Sequence, residues 1–392
     1  MTIRYYMSEG LLLPEKNGSQ WEFTAREARD MAMIQDMRAC GFSVQNIKRL
    51  LTLYRGSSPD LIAERKIIGE EYQKLLEERK ATEQAITLLK GAIEEICPPP
   101  EESAPCCIPF SLFKLIACPY CRGVLHWNSV VIHNNAIRQG HGSCGCGFAA
   151  DIDEGILIAN NRENIIIPIV DSDRQTIKKR RPQDVSCIEK YYVWLLEHLR
   201  EQNLDGKVIF EDVINTICFC SRAVEELPGR PSFILCDTDT SVVKYYAKNM
   251  RLLRPDCRLL MIVDDGVHHP LVPGCIDVVL DYCCSEIHQS YGYLSLCSTL
   301  APYVKDGAYM LGRFTYMTKR RKPLEETKPG YTRADEKRYS LEVLQQDMRE
   351  HNVDILSEIK GEERLDESIY DGCAPGDEIR PYVFTARWNR TR

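Results

Sequence analysis

No stretch of this chain approaches the roughly 18 consecutive apolar residues that a membrane-spanning helix needs, and its first residues lack the basic-then-apolar profile of a secretory signal. These absences exclude a membrane partner and predict a chain that stays in the cytoplasm. A basic excess is lacking as well: the formal net charge is -7. Such a balance does not announce a nucleic-acid binder, but DNA contact needs only a local basic surface, and residues 1–55 are slightly positive by count. Cysteine, by contrast, is abundant, with 18 residues in 392. In a long chain without a secretion signal, cysteines point to a reducing compartment and to thiols, some of them metal ligands, instead of disulfides. A hydrophobic share of 44% suffices for several cores in roughly two to four domains.

The rest of the chain is organised around residues 60–96. From Leu61, alternate steps of four and three give Arg65, Ile68, Tyr72, Leu75, Arg79, Thr82, Ile86, Leu89, Ile93 and Ile96, an apolar seam with a period of about 3.5 residues. Only Arg65, Arg79 and Thr82 interrupt it. The other faces carry Glu, Lys, Arg and Gln, so the helix lays one narrow stripe against a partner and cannot lie inside a core. At about 1.5 Å per residue it would be roughly 55 Å long. A rod of that length favours pairing with the same helix of a second chain over an αα-hairpin within one chain.

Before the rod, the sequence reads as a short helix, a hairpin at Asn17-Gly18, a helix running to Gly41 and a helix capped by Ser43. Here the residues resemble MerR-type transcriptional regulators. Ile3-Arg4-Tyr5-Tyr6, Gly10-Leu11-Leu12, Pro14, the Asn17-Gly18 wing turn, Phe23-Thr24, Gly41-Phe42-Ser43, Ile47-Lys48 and Leu50-Leu51 stand in that family's order and spacing. The resemblance implies a DNA partner, a recognition helix closed by the Arg-Tyr-Tyr segment, a wing on the phosphate backbone and an antiparallel dimer through the long helix. It places Arg4, Tyr5, Tyr6 and Lys16 toward DNA, where cations neutralise phosphates and tyrosine hydroxyls set the register. The chain departs from the pattern in two ways. It starts inside what should be the recognition helix, so the start of the helix-turn-helix is missing, and Ser19-Gln20-Trp21-Glu22 supplies no wing arginine.

Cys97 and three prolines end the rod, and Cys106-Cys107 lies in the linker that follows. Beyond it, Cys118-x-x-Cys121 and Cys144-x-Cys146 can aim four sulfurs at one tetrahedral zinc ion, with the β-hairpin of a zinc ribbon between them; four protein ligands would make that zinc structural. His141 is an alternative fourth ligand, and free buried thiols are the bland alternative. The segment from Phe148 to Leu157 resembles the end of the small ribbon that precedes the catalytic domain in some rRNA guanine methyltransferases.

After the basic connector at 178–182, strands and helices alternate from about Ile188, with candidate strands at 207–214, 232–236, 258–263, 276–280 and 308–311. Their order resembles class I S-adenosylmethionine-dependent methyltransferases. By that resemblance Asp237 would hold the cofactor's ribose, Asp265 would lie on its adenine side, and Leu300 to Gly307 would form the turn before the fifth strand. The family's glycine-rich turn after the first strand is absent: Val213-Ile214-Asn215-Thr216-Ile217-Cys218-Phe219-Cys220 contains no glycine. Side chains there would fill the methionine end of the pocket. No catalytic residue is identified. His268, His269 and His288 are candidates only by type, and Cys283-Cys284 reads either as buried filler or as a thiol sensor.

The expected architecture is multidomain. A winged-helix-like α head (1–58) and a coiled-coil dimerisation helix (59–97) are followed by a linker (98–110), a zinc ribbon (111–160) and an α/β Rossmann-like methyltransferase fold (185–392). The expected function is that of a homodimeric DNA-binding regulator whose last domain binds a small-molecule effector or is purely structural. The alternative is an active S-adenosylmethionine-dependent methyltransferase carrying a regulator-derived dimer module.

Overall fold

The computed structural model describes residues 3–55, 61–96, 106–160, 182–215, 218–291, 294–320, 339–362, 364–365 and 377–389. The prolines at 98–100, the basic residues 178–181 and Ile217, which entered the expectations above, lie outside them. The chain divides into two compact units, Met1–Pro99 and Pro100–Arg392.

In the first unit, α1 (Ile3–Ser8) precedes a hairpin of β1 (Glu15–Asn17) and β2 (Gln20–Glu22), then α2 (Ala25–Ala39), α3 (Val44–Arg55) and α4 (Leu61–Ile96). Asn17 pairs with Gln20, so the two-residue turn is Gly18-Ser19, one position later than the Asn-Gly signal suggests. Gly18, at φ +64, takes the first central position, where a tight hairpin requires the left-handed backbone. Thr24 and Glu27 close a capping box at the start of α2, and the Ser43 hydroxyl accepts from the Asn46 amide at 3.1 Å to start α3. Ile34, Ile47, Leu50 and Leu51 lie in one core with Tyr6, Leu11, Leu12 and Phe42, and Ile67 brings α4 into it. Arg55 fastens this core from the side, donating to the Leu11 carbonyl at 2.7 Å and to Asp30 at 2.6 Å.

The second unit is built on one large mixed sheet. Its centre is β8 (Val208–Glu211), β9 (Ser232–Asp237), β10 (Arg258–Val263) and β11 (Ile276–Tyr282), all parallel; β12 (Val304–Lys319) continues it in parallel, while β15 (Glu378–Trp388) runs antiparallel between β12 and β13 (Val353–Lys360) and also pairs with the short β14 (Arg364–Leu365). β8, β9 and β11 are buried along their whole length, which is why they read as nearly unbroken apolar runs. The helices are α6 (Pro182–Arg200), α7 (Phe219–Ala223), α8 (Thr240–Leu253), α9 (Cys284–Tyr291), α10 (Leu296–Leu300) and α11 (Leu341–Glu350), with a short α5 (Phe110–Phe113) before them. Two core clusters, one carrying α10 and α11 residues and the other α6 and α8 residues, sandwich the sheet. In the order β10-β9-β8-β11-β12, successive crossovers reverse direction between β8 and β11, the switch point of a doubly wound Rossmann-like fold.

The cysteine-rich segment does not stand apart. β4 (His126–His133) and β5 (Ala136–Ser143) form the expected hairpin through Asn134-Asn135, both at positive φ as a type I′ turn requires. The short β3 (Ile108–Pro109) pairs with β5, β6 (Ala149–Asp153) pairs with β5 and with β7 (Ile156–Asn160), and β7 lies parallel to β10. The ribbon therefore extends the α/β sheet at its edge. Gly155, at φ +74 in the β6–β7 turn, has a further constraint: a Cβ there would fall 2.0 Å from the Cys106 carbonyl oxygen.

Candidate functional sites

Arg4, Tyr5 and Lys16 are exposed on the head, with the Lys16 ammonium 5.8 Å from the centre of the Trp21 ring. Tyr6 differs from its three companions: it is buried in the head core. On α4 the seam is open, with Ile68, Tyr72 and Leu89 at 50%, 58% and 63% exposure.

In the ribbon the four sulfurs converge. Cys118 and Cys146 approach to 3.4 Å, Cys121 and Cys144 to 3.3 Å, and all four lie within 4.8 Å of one another. Four sulfurs around one zinc at about 2.3 Å would stand roughly 3.8 Å apart, so little movement is needed to admit an ion. The knuckles are tight turns: the Arg122 amide donates to the Cys118 carbonyl, and the Gly147 amide to that of Cys144. Gly123 leaves the sulfurs room, since a Cβ there would sit 3.3 Å from Cys121 Sγ and 3.9 Å from Cys144 Sγ. Backbone donation from Phe148 draws the Cys146 thiol down to about 7, while burial pushes the neighbouring Cys118 thiol up to about 12. His141 takes no part and pairs with Asp151 at 2.7 Å.

The third locus lies at the carboxyl ends of the central strands. β8 stops at Glu211, short of the expected Ile214, because Val213 turns left-handed at φ +51, a conformation that β-branched residues rarely adopt. The Glu211 carboxylate accepts from the Phe219 amide at 2.6 Å and the Cys220 amide at 2.8 Å, capping α7; burial nevertheless pushes its acid up to about 7. Cys218 and Phe219 are buried in the same core as Tyr192 and Tyr282. Asp237 and Asp265 stand just where expected along the chain, at the end of β9 and just after β10, but both are buried and engaged with their own backbone. Asp237 accepts from the Asn215 amide at 2.8 Å and the Asp239 amide at 2.9 Å, and burial pushes it up to about 7. Asp265 accepts from the Val267 and His268 amides at 2.9 and 2.6 Å and meets the His268 ring at 2.8 Å.

Sequence reasoning missed a neighbouring group. His269 and His288, candidates only by residue type in the sequence, lie with Nε2 3.7 and 3.8 Å from Asp212 Oδ2, and all three side chains are essentially inaccessible. Cys236 Sγ lies within 4.8 Å of the Asp212 and His269 ligand atoms, and Cys284 Sγ lies within 4.8 Å of those of Asp212 and His288. Burial works against a charge on His269, but the Asp264 carboxylate at 2.8 Å and Asp212 behind it hold its imidazole up at about 9. Positions 212, 269 and 288 share no period or motif spacing that could have brought them together on paper.

Comparison with known proteins supplies the relationships. Residues 1–53 match the family described as MerR HTH family regulatory protein. The HTH-type transcriptional regulator HmrR of Rhizobium leguminosarum bv. viciae is 33% identical over 109 residues, which are 26% of this chain and 84% of that protein. Among solved structures, the MccD protein aligns at 12% identity and a TM-score of 0.38, covering 50% of this chain and 96% of its own. A SAM-dependent methyltransferase from Thiobacillus denitrificans, in complex with S-adenosyl-L-homocysteine, aligns at 12% identity and 0.38, covering 51% and 91%. Through its N-terminal region and the relationship to HmrR, the chain belongs to the MerR family of helix-turn-helix regulatory proteins.

Proposed function

We propose that the protein is a homodimeric DNA-binding transcriptional regulator of MerR type in which the methyltransferase-like fold serves as an effector-binding or structural module. The observation that carries this reading is the open seam on α4. Ile68, Tyr72, Leu75, Ile86 and Leu89 are all exposed along one stripe of a 36-residue helix. An exposed apolar stripe of this length is a liability for a lone chain and is covered when a second copy packs along it. Arg4, Tyr5 and Lys16 then meet the phosphate backbone from each protomer. The ribbon sulfurs hold one structural zinc, with Gly123 leaving the room that the sulfurs need.

The alternative, a working S-adenosylmethionine-dependent methyltransferase, draws on Asp237 and Asp265 at the strand ends. Three observations count against it: Val213 stands where the related enzymes have bare glycine, the Cys218 and Phe219 side chains fill the core beside it, and both acids are bonded to their own backbone.

The test is the double substitution Ile68→Glu, Leu75→Glu. Both positions are exposed in a single chain, so the fold of the protomer should be unaffected, whereas in a dimer each glutamate would enter the seam at a cost of several kcal/mol, on the order of 3–5. Sedimentation should find a dimer that becomes monomeric in the variant, and DNA retardation should weaken with it. An unchanged mass in the variant, or a monomeric unsubstituted chain, sinks the reading.

A further inference from the structure

We infer that the cysteine knuckles of the ribbon set the conformation of the loop after β10 (264–275), which carries Asp265 and His268, and that they do so through the Tyr120 ring and a backbone pairing of 115–117 with 270–272. The inference rests on the ribbon zinc proposed above. It gives that ion an effect at the carboxyl ends of the strands, where doubly wound sheets take their ligands.

The pairing runs straight into the first knuckle. The Val272 amide donates to the Leu115 carbonyl at 2.8 Å, Ile116 stands opposite Leu271 in an antiparallel bridge, and the Ala117 amide donates to the Pro270 carbonyl at 3.1 Å. Ile116, Ala117 and Leu271 are buried, so these bonds have no water to replace them, and the next residue is Cys118, itself buried. A second contact comes from inside the knuckle. Tyr120 stands between Cys118 and Cys121 in sequence, and its ring centre lies 5.1 Å from that of His268 and 5.9 Å, edge-on, from that of Phe148. Phe148 follows Cys146 by two residues. Both knuckles therefore close on Tyr120, and Tyr120 bears on the loop.

His268 passes the contact on. Its Nδ1 lies 2.8 Å from Asp265 Oδ2, while Asp265 Oδ1 accepts from the Val267 and His268 amides, so turning the imidazole away disturbs the carboxylate that shapes the turn. On its inner side the loop is fastened by His269, with Nδ1 2.8 Å from Asp264 Oδ2 and Nε2 3.7 Å from Asp212 Oδ2. The outer half is thus the part that the ribbon governs. With an ion, four sulfurs are drawn to one centre and the Tyr120 ring is held between Phe148 and His268. Without one, only weak thiol contacts at 3.3 and 3.4 Å join the knuckles, and Cys121 and Cys146 are exposed, so the knuckles part and release the ring. By linkage, a ligand that stabilises the closed loop tightens the hold on the metal by the same factor.

Hydrogen exchange of the unsubstituted full-length chain, zinc-loaded and after chelation under reducing conditions, tests this, with the zinc content of each sample read by elemental analysis. Peptides spanning 115–121 and 264–273 should lose protection together on chelation, while those of β8 and β9 keep theirs. Tyr120→Ala leaves the four sulfurs in place and should retain zinc, yet its 264–268 segment should exchange as fast as in the chelated unsubstituted chain. Loss of protection confined to the ribbon, with 264–273 unaltered, would overturn the inference and leave the ribbon zinc standing. A chain that binds no zinc would remove the ribbon zinc and this inference with it. Full protection of 264–268 in zinc-loaded Tyr120→Ala would overturn the relay through the ring. Should that variant lose its zinc, the unsubstituted chain with and without the ion still decides.

Discussion

Asp277 ties three strands at the amino end of the sheet with a single carboxylate: it accepts from the Val208 amide at 3.0 Å, Lys207 Nζ at 3.2 Å and Lys305 Nζ at 2.7 Å. Burial works to raise its acid, but the bonds from Lys305 and Val208 outweigh it and hold the group below its ordinary value. A depressed carboxylate contributes stability above its unfolded value, near 3.9, and loses it as pH falls through the folded value. Asp277→Asn should therefore cost about 1–3 kcal/mol at pH 7, the usual cost of unpairing a buried hydrogen-bonded group, and less as pH drops below about 4. Urea unfolding of both proteins across that range checks this, and a cost that stays constant with pH would refute it. At this scale the sequence was partly legible. Cys118, Cys121, Cys144 and Cys146 announce themselves because a tight turn fixes how neighbouring thiols converge. The contacts of His269 and of His288 with Asp212 do not, because they depend on where β8, β10 and β11 end in the sheet.

The ribbon is the element whose local rules and long-range pairing can be separated. Its hairpin follows from local chemistry, since Asn134-Asn135 satisfies a type I′ turn and Gly155 the turn between β6 and β7. The parallel docking of β7 on β10 could not be read locally, because the partner strand lies about a hundred residues away and period-2 patterning does not name a neighbour. Metal affinity for such thiolate sites is folding free energy of order 10 kcal/mol. If the ribbon holds the zinc proposed for it, Cys118→Ser should release that ion and lower hydrogen-exchange protection in β4 and β5. In β8 and β9 protection should persist, since those strands draw on the two large core clusters. Uniform loss across the whole sheet would show that the ribbon is a stability core and not a clip on an edge. Gly123→Ala is a milder probe: its methyl must displace the Cys121 sulfur or be tolerated at 3.3 Å, so it should weaken metal retention without unfolding the sheet.

For the whole molecule, the order of the strands was legible because parallel, doubly covered strands are apolar throughout, and those expected at 232–236 and 258–263 emerge within a residue of β9 and β10. The state of the strand ends, where the methyltransferase resemblance would place a cofactor, was legible only as an absence. The missing glycines mark the place, and the structure supplies the physical content: Val213 takes the left-handed turn with its side chain in place, and the Cys218 and Phe219 side chains run into the core. A methionine group lying there needs backbone free of Cβ atoms, and displacing a reacting methyl by about 1 Å already costs on the order of a hundredfold in rate. Asp237 already accepts from the Asn215 and Asp239 amides, bonds that stabilise the turns following β8 and β9. The full chain should accordingly show no methyl transfer from S-adenosylmethionine to DNA, RNA, protein or small molecules. Calorimetry with S-adenosylmethionine and its demethylated product separates the remaining cases. Heat of binding without turnover makes the nucleoside an effector of a regulator, and no heat leaves the fold a structural module. Micromolar binding together with turnover would return the molecule to the enzymes, since Val213 and Phe219 would then have to move aside whenever the cofactor binds.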